Sequence, residues 1–213
     1  MHAWIKEIGI DGRRVHEREI PDGERAHYSK RTIDFEFEYP FGQKELYGLA
    51  YRGDFDLTNH FAEAPYTDPD TNEKFYPHVI EPTFGLDRSV LAVLLSAYDE
   101  SDKDRIVLKL KPHLAPYKVA VFPLLANKPE LVKKAREIYD SLKKEMTVEW
   151  DDRGNVGKRY YSQDEIGTPY CITVDFDTLA NNDVTVRDRD TTKQERIHIE
   201  KLSEYLNSKV YGR

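Results

Sequence analysis

The sequence predicts an α/β protein in two parts: a sheet-and-helix region, then a mixed-sheet domain with flanking helices. Three observations carry that reading. Residues Thr32 to Tyr39 alternate strictly, with Ile33, Phe35, Phe37 and Tyr39 on one face and Asp34, Glu36 and Glu38 on the other, the period of a half-buried strand. From Lys118 onward, strand-like and helix-like stretches follow one another, the pattern of a layered sheet. The charge is also divided: through Tyr117 there are 15 Lys+Arg against 22 Asp+Glu, and beyond it 17 against 17, so the net charge of -7 lies entirely in the front.

Bulk properties set further bounds. A chain of 213 residues can form one large domain or two small ones, and a 39% hydrophobic share with 14 Tyr and 9 Phe provides core material. No apolar run approaches the roughly 20 residues that span a bilayer, and the amino terminus lacks a long apolar leader, so a cytoplasmic protein without a membrane partner is expected. The single Cys171 excludes an internal disulfide, and its apolar strand disfavours a thiolate nucleophile. The seven histidines have no His-x-x-x-His spacing that would suggest zinc. An acidic to neutral balance argues against indiscriminate nucleic-acid binding, so any such contact is expected to be local and in the back half.

The elements follow in order. Pro40-Phe41-Gly42 ends the first strand, and Leu46 to Tyr51 forms a second, where Gly48 allows another group to approach closely. Asp54 to Lys74, rich in Pro, Asp and Asn, reads as a surface loop. Pro77 to Arg88 reads as a strand carrying Glu81 to its end, a turn, and a helix that continues through Leu95. The charged stretch Asp99 to Pro116, with one short strand at Ile106 to Leu108, reads as the connection, giving domains 1–110 and 111–213. Lys118 to Leu124 is a buried strand, and Pro129 to Lys144 a helix whose stripe is Leu131, Ala135, Ile138 and Leu142. Met146 to Trp150 is a strand, the capping-box spacing of Ser162 to Glu165 starts a short helix, and Pro169 to Phe176 and Val184 to Arg187 are strands. Gln194 to Lys209 closes the chain as a helix.

Three strings carry candidate chemistry. A carboxylate at a strand end beside a hydroxyl, Glu81 with Thr83, can hold an ammonium group, and Arg88 near a helix start can clamp a phosphate. By spacing alone, Glu81 and Arg88 read equally as a structural ion pair. Glu45 heads an apolar strand and needs a cation, either Arg52 or a nucleotide-bound metal. Arginines interleaved with aromatics over Lys158 to Tyr161 and Arg187 to Arg189 suit the stacking and edge contacts of single-stranded RNA, though Arg/Asp alternation also suits a solvated strand edge.

The string Ile80-Glu-Pro-Thr-Phe-Gly-Leu-Asp-Arg88 resembles motif 3 of class II aminoacyl-tRNA synthetases in its glycyl-tRNA synthetase form. Glu45-Leu-Tyr-Gly-Leu-Ala-Tyr-Arg-Gly-Asp-Phe-Asp-Leu57 resembles the archaeal and eukaryotic signature of the same family, and the tail resembles its anticodon-binding domain. The resemblance implies a remnant of the antiparallel catalytic sheet followed by the α/β anticodon domain. It implies Glu81 and Arg88 as catalytic residues and an ATP site of Glu45, Leu46, Gly85, Leu86, Asp87 and Arg88. It further implies a glycine site of Glu81, Pro82, Thr83, Phe84 and Gly85, with Glu45 near the Mg2+ that accompanies ATP. Arg159, Arg187 and Arg189 are the expected anticodon contacts, and tRNA-Gly and glycine the expected partners. Nothing in the chain matches the dimer-forming motif 1 or the motif 2 arginine, so the family's homodimer contact is not expected here. The chain alone is expected to be inactive, with a separate fragment carrying those motifs as its complement. Two other functions fit less of the sequence: a stand-alone RNA-binding module or accessory subunit, and an amino-acid ligase acting on something other than tRNA.

Overall fold

A computed structural model describes residues 1–212, which divide into two compact units, 1–95 and 96–212. The first unit begins with α1 (His2–Glu7), β1 (Val15–Glu19), β2 (Arg31–Tyr39) and β3 (Gly42–Gly53). It continues with α2 (Phe55–His60), β4 (Tyr66–Thr67), β5 (Lys74–Phe75) and β6 (Val79–Phe84). Helix α3 (Leu86–Ala97) ends it and runs into the second unit.

Four of these strands form an antiparallel sheet in the order β1-β2-β3-β6. The alternation read from the sequence holds: Phe35, Phe37 and Tyr39 are buried against Ile5, Ile8, Leu46, Tyr47 and Ala92. The opposite face carries Asp34 and Glu36. The stretch read as a loop, 54–74, holds α2 and one strand of the small β4–β5 hairpin, because Asp68 accepts hydrogen bonds from the Asp70 and Thr71 amides and folds the turn. Strand β6 lies at the sheet edge, where Pro82 costs no ladder bond to a further strand. Its Ile80 and Phe84 are exposed, and so are Leu86, Val90 and Leu94, spaced four apart on α3.

The second unit starts earlier than the sequence suggested, after Leu95 and not after residue 110. The reason is a hairpin, β7 (Tyr98–Asp102) and β8 (Arg105–Leu108), in what read as a connection. Arg105 ties that hairpin to Asp164 at 2.7 Å. Then come β9 (Val119–Pro123), α4 (Pro129–Leu142), β10 (Val148–Trp150), α5 (Val156–Ile166) and β11 (Tyr170–Val174). The unit closes with α6 (Phe176–Asn181), β12 (Asp183–Asp188), β13 (Gln194–His198) and α7 (Leu202–Tyr211).

These strands make a mixed five-stranded sheet ordered β10-β9-β11-β12-β13, with β10, β9 and β11 parallel and the last two antiparallel. The predicted stripe of α4, Leu131, Ala135, Ile138 and Leu142, packs with Leu202, Leu206 and Val210 on one face. Two boundaries differ from expectation. Helix α5 starts six residues before Ser162, because Asn155 caps it by accepting from the Lys158 amide. Gln194 to His198 pairs with β12 as an edge strand before α7 begins, since Val184 offers Ile197 an apolar neighbour across the ladder. Gly167 ends α5 at φ +89°, and a Cβ there would stand 2.8 Å from the Leu108 carbonyl oxygen, so only glycine fits.

Candidate functional site

The site of the first unit is the polar face of its sheet, and a β-bulge assembles it. Asp34 pairs with Gly48, and Phe35 with Tyr47, but Glu36 then pairs with Glu45, so Leu46 is the extra residue. Regular alternation would turn Glu45 away from Gly48. The bulge turns it onto the same face as Asp34, Glu36 and Gly48. Across the other ladder, Thr83 pairs with Gly48 and Glu81 with Ala50, which brings both onto this face as well.

Two cavities open there. One, about 430 Å³, is lined by Arg18, Tyr28, Asp34, Glu45, Gly48, Glu81 and Thr83 among others. The other, about 440 Å³, is lined by Glu45, Leu46, Tyr47, Thr83, Phe84, Gly85, Leu86, Asp87 and Arg88. Glu45 and Thr83 belong to both. All six residues expected at the nucleotide line the second cavity, while Glu81 and Thr83, expected at the amino acid, line the first. Pro82, also expected at the amino acid, pairs with Leu49 and is not among the residues that line either cavity.

The ion pairs differ from both sequence readings. Glu81 does not pair with Arg88, and Glu45 does not pair with Arg52. Arg52 Nη1 donates to Glu81 Oε2 at 2.7 Å, and its Nε and Nη2 donate to Asp56 at 2.7 and 2.6 Å. Its guanidinium also lies 3.9 Å from the Tyr28 ring centre. The hydrogen bonds to Asp56 and Glu81 push the Arg52 pKa well above its usual value, so this cation is permanent and fixes Glu81. Arg88 Nη1 donates to the Glu45 carbonyl at 2.5 Å and stands 3.6 Å from Glu45 Oε2, yet the Arg88 side chain stays 54% exposed and can take a further anion. Tyr47 and Ser89 join hydroxyls at 2.7 Å, and Ser89 Oγ donates to the Gly85 carbonyl, which fixes the turn into α3.

Asp34 is the residue that the sequence reading passed over. Alternation puts it on the outer face of its strand, and that face is the floor of a cavity. Burial, then the charges of Glu45 and Glu36, push its carboxyl above the usual range.

In the second unit, the three arginines expected to read bases are engaged internally. Arg159 is buried and donates to the carbonyls of Pro123, Asp152, Arg153 and Gly154. Arg187 makes a bidentate pair with the fully buried Asp164, at 2.9 and 3.0 Å. Arg189 donates to the carbonyls of Gly167 and Leu110 and to the Asp190 carboxylate. These side chains are buried and bonded within the domain, so they build it. The sequence could not reveal this, because carbonyl acceptors leave no mark on residue type. Burial opposes the charge on Arg187, but the hydrogen bond to Asp164 together with the negative charge beside it holds the pKa up. Burial alone pulls Arg159 down. Burial also pushes the Cys171 thiol far up, which suits its inert place in β11. Among the described residues, no group of three or more His, Cys, Asp or Glu side chains is arranged to hold a metal ion, and no helix is long and apolar enough to cross a membrane.

Residues 118–209 match the family model described as an anticodon binding domain. The whole chain finds relatives as well. A glycine–tRNA ligase of Clostridium kluyveri is 47% identical over 97% of this chain and 44% of its own length. That of Clostridium acetobutylicum is 45% identical over 98% and 46%. By sequence, this chain is kin to the carboxy-terminal part of glycyl-tRNA synthetase. The glycine–tRNA ligase of Thermobifida fusca, 44% identical over 98% of the chain and 48% of its own length, extends the same relation. The chain spans just under half the length of these curated relatives, each named a glycine–tRNA ligase. The synthetase likeness therefore covers both units, and the bulged, polar sheet face lies within it.

Proposed function

We propose that this chain supplies one wall of the glycine and ATP site of a glycine–tRNA ligase, together with its tRNA-contacting domain. The observation that carries the reading is the pair of adjoining cavities that share Glu45 and Thr83, one rich in carboxylates and the other flanked by an accessible arginine. In the overall reaction, glycine and ATP give glycyl-adenylate and pyrophosphate, and tRNA-Gly then accepts the glycyl group. Glu81, fixed by Arg52, receives the α-ammonium of glycine beside Thr83. Arg88 holds the terminal phosphate of ATP in a charge-assisted bond. Mg2+ enters as part of the substrate. It needs only one or two carboxylates beside phosphate oxygens and water, and Glu45 suits that role.

The exposed apolar face of β6 and α3 supports a further element of the reading: a second fragment or segment, bearing the remaining phosphate-binding groups, covers this edge. Without such groups, charge at the reacting phosphorus lacks a donor worth about two powers of ten or more. With Arg159, Arg187 and Arg189 occupied, tRNA contact falls to accessible cations such as Arg153 and Lys158. A cytoplasmic setting follows from the same reading.

The test has two arms. The 213-residue chain is expected to show no glycine-dependent ATP–pyrophosphate exchange, and to bind transcripts with glycine anticodons more tightly than transcripts with altered ones. Measurable exchange would overturn the one-wall reading, and equal affinity for all anticodons would overturn the assignment to tRNA-Gly.

A further inference from the structure

The mixed sheet has two edges, and they are finished differently. At one, β10 is only three residues long, and the Arg136 guanidinium lies over its Trp150 ring, 3.7 Å from the ring centre. At the other, β13 runs for five residues, and among the described residues no strand lies beyond it. The Ile199 amide donates to the Asn182 carbonyl and the Asp188 amide to the Lys193 carbonyl, which sets the alternation of the β12–β13 ladder. Odd-numbered residues of β13 therefore bond to β12, and the amides of Gln194, Arg196 and His198 point outward. Charged side chains usually guard such an edge. Here they are turned back onto their own domain: Glu195 accepts from the Tyr205 hydroxyl, and Arg196 donates to Asp175, Asp183 and Thr185.

A groove runs beside that edge. Its cavity, about 630 Å³, opens between Ile197 and His198 on the strand and Lys201, Tyr205, Ser208 and Lys209 on the helical side. Ile197 and Tyr205 pack against the core and give the groove an apolar floor. Lys201 and Lys209 are exposed on its rim, and among the described residues neither has an ion pair; Lys209 only approaches the Tyr205 ring, at 5.5 Å from its centre. Glu204 is the one carboxylate in the lining, against Arg196, Lys201 and Lys209. In a chain of net charge -7, this groove is therefore cationic. The open ladder and the groove select the same occupant. Cross-strand partners share a face, so the residue of an added strand opposite Ile197 enters the apolar floor, and residues two positions to either side project along the same groove. Carboxylates at those flanking positions suit the two free lysines, whose long stems reach along the rim.

We propose that β13 and the groove beside it dock an extended acidic segment of a partner protein, which joins the sheet as a further strand antiparallel to β13. Backbone pairing to Gln194, Arg196 and His198 supplies affinity. An apolar side chain in the groove and carboxylates against Lys201 and Lys209 supply selectivity. A second copy of this chain is a poor occupant, since antiparallel pairing of two β13 strands about Arg196 sets like charges opposite one another. The surface lies wholly in the second unit and asks nothing of the glycine and ATP cavities, so it stands or falls apart from the proposed function.

The experiment follows backbone amide resonances of the isotope-labelled 213-residue chain as the end-blocked peptide Thr-Glu-Thr-Val-Thr-Glu-Thr is added. Saturable shifts confined to β13 and α7 are expected. A strand docked on a single edge uses only alternate amides, so N-methylation of one alternate set should weaken binding about tenfold or more, and of the other set by less than about twofold. His198→Pro deletes one outward donor at a residue whose φ is already -61°, which spares the β12 ladder. It is expected to weaken the peptide about fivefold or more, while His198→Ala stays within about twofold of the parent. Lys201→Glu combined with Lys209→Glu should weaken it about tenfold. The near-ultraviolet spectrum of each variant is compared with that of the parent; if His198→Pro is misfolded, the two N-methylated peptides decide alone. Absence of shifts at β13, or equal affinity for the two N-methylated peptides, overturns the proposal. Tighter binding of an oligouridylate at the same residues also overturns it, in favour of RNA.

Discussion

The two units handle charge in opposite ways. In the mixed-sheet unit, Asp164 is fully buried and satisfied twice, by Arg105 from the β7–β8 hairpin and by Arg187 from β12, with Tyr160 4.8 Å from the Arg187 guanidinium. In the antiparallel unit, Asp34, Glu45 and Arg88 stay partly open to solvent and hold few partners. The first arrangement fixes structure. The second leaves capacity for a ligand, because a charge already satisfied by neighbours gains little from another.

Breaking the buried network tests the contrast most severely. Asp164→Asn leaves two arginines without their anion, and loss of one partner of a buried pair costs about 3–5 kcal/mol. Denaturant unfolding followed by Trp150 fluorescence should show the second unit shifted by that amount, while Trp4, in the first unit, reports an unchanged transition. A loss below about 1 kcal/mol would mean that the network is not what holds the hairpin to the sheet.

On the open face, Arg88→Ala is expected to change stability by no more than about 0.5 kcal/mol, since its pair with Glu45 is exposed. ATP affinity should nonetheless fall about tenfold or more, measured by calorimetry. A large loss of stability would show that Arg88 belongs with the structural arginines and would erase the distinction.

The smallest effect is the most diagnostic in sign. The Asp34 carboxyl has a folded-state pKa raised above its usual 3.8, so the fold prefers its neutral form. The wild-type chain is therefore relieved of this cost below about pH 4 and bears it increasingly as pH rises through the folded-state value. Asp34→Asn should raise the melting temperature of the first unit at neutral pH by about 1 °C, kept small by solvent screening, and the gain should vanish near pH 4. Destabilisation at neutral pH would contradict this.

Much of the fold was legible because its signals are local. The alternation of Ile33 to Tyr39 and the four-residue stripe of α4 each report which face is buried, since solvent exclusion acts on side chains at fixed periods. The strings around Glu45 and Glu81 likewise named residues that line one pair of cavities. The start of α5 was missed because Asn155, a good cap, competed with the Ser162 spacing, and β13 was missed because Gln194 to His198 has no strong period of its own.

What the sequence determined, then, was which residues are apolar in rhythm and which strings carry candidate chemistry. What only the tertiary structure decided was pairing. The bulge at Leu46 exists relative to β2, not within β3 alone, and it decides that Glu45 meets Asp34 and Thr83. Arg159, Arg187 and Arg189 look like free cations in the chain, but distant carbonyls and Asp164 receive them in the fold. Register and long-range hydrogen bonds join residues far apart in sequence, and no local pattern records which partner each will find.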